Sequence, residues 1–280
     1  MIVCIACVVA LLAAYLFAIM PGRPAHKAVE PFTQTYVAHR GLFDNEGNAP
    51  ENSMRAFRRA IDAGYAIELD VQLSADGTVV ATHDKSQLRV AGVDKPITEM
   101  TDKEVAQLRL FETDQGVPTF EEVLDLVDGQ VPLLVELKVG ADGDAAALSK
   151  ATAKILDGYD GHYVVESFNP FALRWFKNNR PDVVRGILSA DFNNFYDPKA
   201  EVRVTGVSAF VLSNMLANVI ARPNFIAYEV TGYGQPSFAL VRKVTDVDCF
   251  AWTIQAPDEL ALARSKGAQG IIFDSFVPKE

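Results

Sequence analysis

Hydrophobic and polar positions in this chain follow two periods, one of two residues and one near 3.6. The run "AIELDV", residues 66–71, alternates Ile67, Leu69 and Val71 with Glu68 and Asp70, the two-residue period of a strand. Just before it, "ENSMRAFRRAIDAG" spaces Met54, Phe57, Ala60 and Ile61 as one helical face, with Asn52 or Ser53 as cap and Gly64 as stop. Further strand-like runs are "TYVAHRG", "PLLVELK", "YVVESF", "VRGIL", "FIAYEV", "CFAWTI" and "GIIFD". Helical patterns over Ala145–Leu156, Pro170–Asn178, Ser208–Ile220, Ser237–Val244 and Pro257–Lys266 separate them. Thr101 with Glu104, and Thr119 with Glu122, have the spacing of capping boxes, within a longer excursion between the second and third strands. Eight strands alternating with helices predict an α/β fold, a (β/α)8 TIM barrel with an inserted segment after the second strand. A doubly wound open sheet is the alternative, because periodicity does not reveal closure.

The N-terminus breaks both periods. Residues 1–20 carry no charged side chain, and twenty apolar residues at helical rise match a bilayer's hydrocarbon thickness. The absence of a basic stretch before them and of a small-x-small cleavage site disfavours a signal peptide. The expected organisation is a transmembrane anchor over 1–20, a linker over 21–32 and a catalytic barrel over 33–280, at the cell membrane as a single-pass protein. Arg23 and Lys27 follow the span, and the positive-inside rule then puts the body in the cytoplasm. The formal net charge of −10 argues against nucleic-acid binding, which needs a basic surface. An anionic substrate must therefore meet its countercharge locally. The three cysteines, Cys4, Cys7 and Cys249, form no disulfide framework.

Parallel barrels carry their chemistry at the C-terminal ends of their strands. There this sequence places His39 and Arg40 after the first strand, Glu68 and Asp70 on the second, and Glu136 and Lys138 on the third. Residues i and i+2 of a strand share a face, so Glu68, Asp70 and Glu136 converge. Three carboxylates with little nitrogen or sulfur nearby suit one hard divalent cation, Mg2+ or Ca2+. A salt-bridge network with Lys138 and Arg40 is the competing reading. Asp76-Gly77 predicts a hairpin turn. A loop symmetric about that bond would set Leu73 opposite Val80 and Asp70 opposite His83, returning His83 to the carboxylates. Two histidines, basic residues and a hard cation suit phosphoryl transfer, one imidazole taking a proton and the other giving one. No G-x-S-x-G elbow and no H-E-x-x-H motif supports serine-hydrolase or zinc chemistry. His26 and His162 are expected as surface histidines, Asn52 as a helix cap and Glu166 as structural.

The segment "AHRG…APENSMRAFRRAIDAGYAIELDVQLSADGTVVATHD", with "VELK", "ESFNP", "AWTIQ" and "GIIFD" in order, resembles the glycerophosphodiester phosphodiesterases from Tyr36 to Phe276. The resemblance implies a (β/α)8 barrel and divalent-metal hydrolysis of glycerophosphodiesters to glycerol 3-phosphate and an alcohol. It implies His39 and His83 as the acid/base pair, Glu68, Asp70 and Glu136 as metal ligands, and Arg40 and Lys138 as phosphate contacts. Trp252 matches an aromatic at the glycerol end of the pocket, with plain core packing as its other reading. Either the glycerol 2-hydroxyl attacks first, through a cyclic phosphate, or water attacks directly. Departures from the family pattern are the longer loop "GLFDNEGNAPEN", Gln269 and Gln255. The substrate is then a small-molecule or lipid-derived phosphodiester, with the membrane met through residues 1–20 and no protein partner implied. Two other functions fit: a lysophospholipase D-like enzyme acting on membrane lipid, and a non-catalytic barrel that binds phospholipid headgroups.

Overall fold

The structure is a computed structural model describing residues 2–140, 143–192 and 204–278, with the side chains of residues 2 and 3 outside the description. The strands are β1 (Val37–Ala38), β2 (Ala66–Leu73), β3 (Val79–Ala81), β4 (Ser86–Gln87), β5 (Val93–Pro96), β6 (Leu133–Leu137), β7 (Tyr163–Ser167), β8 (Arg185–Ser189), β9 (Phe225–Glu229), β10 (Asp248–Ile254) and β11 (Gly270–Phe273). The eight strands β1, β2 and β6 to β11 run parallel, and β1 pairs with both β2 and β11. The sheet therefore closes, and the open doubly wound alternative falls. The barrel interior is filled rather than hollow. Phe225 and Phe250 enter it where the facing strand carries glycine: a Cβ on Gly186 would stand 2.2 Å from the Phe225 ring.

The helices are α1 (Ile2–Ile19), α2 (His26–Thr33), α3 (Met54–Asp62), α4 (Leu88–Ala91), α5 (Asp102–Val105), α6 (Phe120–Val127), α7 (Ala145–Leu156), α8 (Pro170–Asn179), α9 (Gly206–Ser213), α10 (Asn218–Ala221), α11 (Pro236–Val244) and α12 (Pro257–Ser265). Both expected capping boxes form, Thr101 with Glu104 and Thr119 with Glu122. The helix expected over Ser208–Ile220 is two short ones, interrupted at Met215, whose φ of 58° is left-handed. The inserted segment between β3 and α6 folds over a small core of its own, with Val90, Ile97, Met100, Leu108 and Leu110 packed against Val80.

The N-terminal segment holds more structure than its sequence suggests. Residues 21–32, expected as a linker, contain most of α2, whose Val29 and Phe32 are fully buried with Val37, Ala66, Leu134 and Phe225 at the barrel's N-terminal end. His26 is exposed, as expected, and also pairs with Asp248 at 2.7 Å; His162 meets the Ala28 carbonyl oxygen at 2.6 Å. The end of α1 docks on the barrel. Ile19 is fully buried, Asn218 donates to its carbonyl at 2.6 Å, and Arg222 donates to Phe17 O and Met20 O. Earlier in α1, Ile5, Val8, Val9, Leu11 and Leu12 are all more than half exposed. Among the described residues, no helix is long and apolar enough to cross a membrane.

Candidate active site

Strand register assembles the carboxylates. Asp70 lies level with Glu136, and Glu136 with Glu166, across β2, β6 and β7, while Glu68 stands one inward position below Asp70. Ligand atoms of Glu68, Asp70 and Glu136 lie within 4.8 Å of one another, and all three residues are buried. Among the described residues, Glu68 Oε1, Glu136 Oε1 and Glu166 Oε2 have no hydrogen-bond donor. Asp70 Oδ1 also lacks a hydrogen bond among the described residues, and Lys138 Nζ lies 3.2 Å from it and 2.8 Å from Glu136 Oε2. Buried acceptors left without donors are costly unless a cation fills the gap, so these residues fit a hard divalent ion.

The charges divide accordingly. Burial by itself would raise the Asp70 pKa, but the Lys138 and Arg40 charges outweigh it and hold that carboxylate well below its usual range. Burial and the neighbouring Asp70 push Glu136 up to about 7, against the pull of Lys138. Burial and the Asp70, Glu136 and Glu166 carboxylates likewise push Glu68 up. The salt-bridge reading of the sequence is thus partly right, since Lys138 and Arg40 are bound here, yet two cations do not satisfy this many buried oxygens.

Arg40 and Asn52, neither of them glycine, take left-handed backbone at φ of 57° and 55°. Such conformations persist where surrounding contacts fix them. Here Arg40 N donates to Glu68 Oε2 at 2.9 Å, and Asn52 N donates to Arg40 O at 3.0 Å. Asn52 is not the helix cap. Ser53 caps α3, and Asn52 donates its side-chain amide to Asp70 Oδ2 at 2.8 Å. Glu166, expected to be structural, is the fourth buried acid of the cluster.

Each site histidine sits against a carboxylate that sequence reading missed. β1 and β11 pair Ala38 with Phe273, so the next residues, His39 and Asp274, stand side by side, Nδ1 to Oδ2 at 2.8 Å. Gln255 and Ser275 both donate to the other oxygen, Asp274 Oδ1, at 2.8 and 2.7 Å. His83 Nδ1 lies 2.7 Å from Asp84 Oδ1. A carboxylate only accepts, so each Nδ1 carries the hydrogen and each Nε2 is left for exchange. His39 Nε2 lies 4.0 Å from Glu68 Oε2. Burial, with Arg40 and Lys138, pushes His83 down to about 4, which keeps it neutral.

The β2–β3 hairpin adopts a different register from the expected one. The observed pairs are Val71 with Ala81, Gln72 with Val80 and Leu73 with Val79, one residue off the expected register. Gly77, at φ 88°, adds a left-handed residue after the turn, and this three-residue loop shifts the pairing by one. His83 nonetheless faces the cluster, because it lies past the end of β3. Thr82 N–H makes the last ladder bond, to Asp70 O at 3.0 Å, and beyond it the Gln72 amide holds the carbonyls of Thr82, His83 and Asp84.

Trp252 is half-buried and edge-on to Phe168, with centroids 5.4 Å apart, and Lys138 Nζ lies 5.6 Å from the Phe168 ring centroid. The tryptophan thus packs on the core and borders the charged rim at once. Of the two glutamines outside the family pattern, Gln255 reaches the site through Asp274, whereas Gln269 accepts from the Cys249 backbone N–H. The long loop folds on itself: Asp44 bridges Ala49, and Asn45 donates to Glu51.

A family model described as the glycerophosphoryl diester phosphodiesterase family matches residues 39–277. A glycerophosphodiester phosphodiesterase of Caldanaerobacter subterraneus subsp. tengcongensis is 28% identical over 249 residues, covering 85% of this chain and 93% of that relative. Glycerophosphodiester phosphodiesterase 1 of Bos taurus is 23% identical over 290 residues, covering 95% and 86%. The fold is similar to that of an Oleispira antarctica phosphodiesterase in complex with the product sn-glycerol-3-phosphate. There the TM-score is 0.68 at 22% identity, covering 86% of this chain and 93% of that one. A Thermotoga maritima glycerophosphodiester phosphodiesterase gives 0.62 at 25% identity, covering 86% and 95%.

Proposed function

We propose that this chain, which belongs to the glycerophosphoryl diester phosphodiesterase family, hydrolyses glycerophosphodiesters to glycerol 3-phosphate and an alcohol with His39 and His83 as proton carriers. The observation that carries this reading is the pairing of two carboxylate-held imidazoles with one cluster of donor-poor buried acids. Glu68, Asp70 and Glu136 would hold one Mg2+ or Ca2+, which supplies positive charge against the phosphate oxygens. Arg40 and Lys138 add two further charges, fixed beforehand by Glu51, Asp70 and Glu136, so little reorganisation accompanies substrate arrival. His83, held neutral, accepts at Nε2 the proton of an attacking water, or of the glycerol 2-hydroxyl with water then opening the cyclic phosphate, as the new O–P bond forms. His39 gives its Nε2 proton to the departing ester oxygen as the old O–P bond breaks, and Asp274 balances the imidazolium charge until then. The same-fold neighbour solved with glycerol 3-phosphate supports a glycerol phosphate at this rim.

Membrane attachment through residues 1–20 is a second part of the proposal. It rests on the uncharged sequence of α1 and the exposure of Ile5, Val8, Val9, Leu11 and Leu12, with a cytoplasmic body from Arg23 and Lys27. An anchor of this kind keeps lysophospholipase D-like activity in view. The test is release of phosphomonoester and alcohol from glycerophosphocholine and from lysophosphatidylcholine, with and without added Mg2+ or Ca2+. Turnover of the first supports the main reading, and preference for the second supports the lipid reading. Binding without turnover in metal-supplemented buffer would leave a headgroup-binding barrel instead.

A further inference from the structure

We propose that Arg89, carried by α4 of the inserted segment, is a positioning residue that locks the His83 and Arg40 loops into one unit. Its guanidinium forks onto two buried carboxylates at once. Nε and Nη2 donate to Asp84 Oδ2 and Oδ1 at 2.7 and 2.8 Å. Nη1 and Nη2 donate to Glu51 Oε2 and Oε1 at 2.9 and 2.7 Å. Asp84 Oδ1 is the same oxygen that holds His83 Nδ1, and Glu51 Oε1 is the same oxygen that holds Arg40 Nη1, at 2.6 Å. Arg40 Nε in turn lies 3.4 Å from Asp70 Oδ2. A continuous chain therefore runs Asp70–Arg40–Glu51–Arg89–Asp84–His83, from the acid cluster to the second histidine.

The geometry demands arginine. Only a planar fork presents donors to two carboxylates in fixed directions; a lysine ammonium is a point charge on a flexible stem. Glu51 and Asp84 are buried, while the Arg89 side chain is 29% exposed, so the fastening is applied from outside the site. The Arg89 guanidinium carbon also lies 5.8 Å from the Phe111 ring centroid, within the inserted segment. The insertion thus holds the carboxylate that orients His83.

This inference rests on the acid–base reading of His83, and the experiment separates the two. Arg89→Ala should lower kcat about 10- to 100-fold, the scale expected when a reacting group drifts by about 1 Å. Free guanidinium at millimolar concentration should restore part of that loss in Arg89→Ala, where sodium chloride does not, and a merely structural role would show no such rescue. Should Arg89→Ala not fold, Arg89→Lys read in a double-mutant cycle with Asp84→Asn takes its place. Positioning through Asp84 requires the double variant to lose clearly less than the two single losses combined, and fully additive losses would overturn the proposal. Wild-type kcat in Arg89→Ala, with His83→Ala inactive, overturns the Arg89 proposal alone. Wild-type kcat in His83→Ala overturns the reading beneath it.

Discussion

Replacing Asp274 with asparagine alters one atom of the site and should disable His39. The neighbours decide how the new amide sits. Gln255 Nε2 and Ser275 Oγ both donate to Asp274 Oδ1, so the amide oxygen must stay there and the amine must take the Oδ2 position. That amine then faces His39 Nδ1, which donates to Oδ2 across 2.8 Å in the native protein. Two donors cannot share that contact, so His39 must turn Nδ1 into an acceptor and cannot carry a proton on both nitrogens. A general acid needs that doubly protonated form. A hydrogen bond to a charged group is worth about 1.5–3 kcal/mol, which converts to roughly 10- to 150-fold in rate. Steady-state kinetics on glycerophosphocholine with saturating Mg2+ or Ca2+ should show that loss in kcat with KM little changed, because the phosphate contacts are untouched. Circular dichroism and thermal melting should show an intact fold. A folded Asp274→Asn variant with kcat within threefold of wild type would refute the reasoning.

Removal of either proton carrier, as His39→Ala or His83→Ala, should lower kcat about 10²- to 10⁴-fold in a folded protein; wild-type rates in either variant would exclude it from proton transfer. EDTA should abolish activity and Mg2+ or Ca2+ restore it, with full activity of a verified metal-free preparation as the contrary result. In metal-free protein the raised pKa of Glu136, about 7 against an ordinary 4.5, contributes stability that is present below pH 4.5 and lost as pH rises through 7. The loss is about 3 kcal/mol, so melting temperature should fall with rising pH, and Glu136→Gln or added cation should flatten that slope. Deleting residues 1–14 should release an active body from membranes. Deleting 1–20 should also remove the buried Ile19, costing roughly 1.5–3 kcal/mol, and equal melting temperatures for the two truncations would count against the docked end of α1.

The sequence carried the barrel and the acid triad because both depend on strand parity. Glu68, Asp70 and Glu136 face inward whatever the neighbouring loops do, and alternation with Ile67, Leu69 and Val71 displays that parity directly. The helix starts were equally local: Thr101 and Thr119 announce themselves three residues before Glu104 and Glu122. The register of the hairpin was not, because it turns on the backbone angle of Gly77, and Asp76-Gly77 is compatible with a two-residue or a three-residue loop. The segment around α2 hides its structure for a related reason. "HKAVEPFT" contains a proline and few apolar residues, and Val29 and Phe32 gain meaning only beneath a closed barrel.

The groups that hold the histidines were the hardest to see, and their positions explain why. Asp274 meets His39 because the first and last strands are neighbours, a contact across 235 positions created by closure itself. Asp84 follows His83 directly, yet adjacency along a strand would point the two side chains to opposite faces. They meet because the chain leaves the ladder after Thr82, whose N–H still donates to Asp70 O, and the Gln72 amide gathers the carbonyls of residues 82–84 there. Glu51 and Arg89 are joined across 38 positions, through an insertion whose placement no local pattern encodes. The acids are therefore set by strand parity, while the aim of the two histidines is set by contacts that exist once the barrel has closed and the insertion has docked. Substitutions in the second group should spare the fold and slow the reaction, which is the behaviour expected at Asp274 and Arg89.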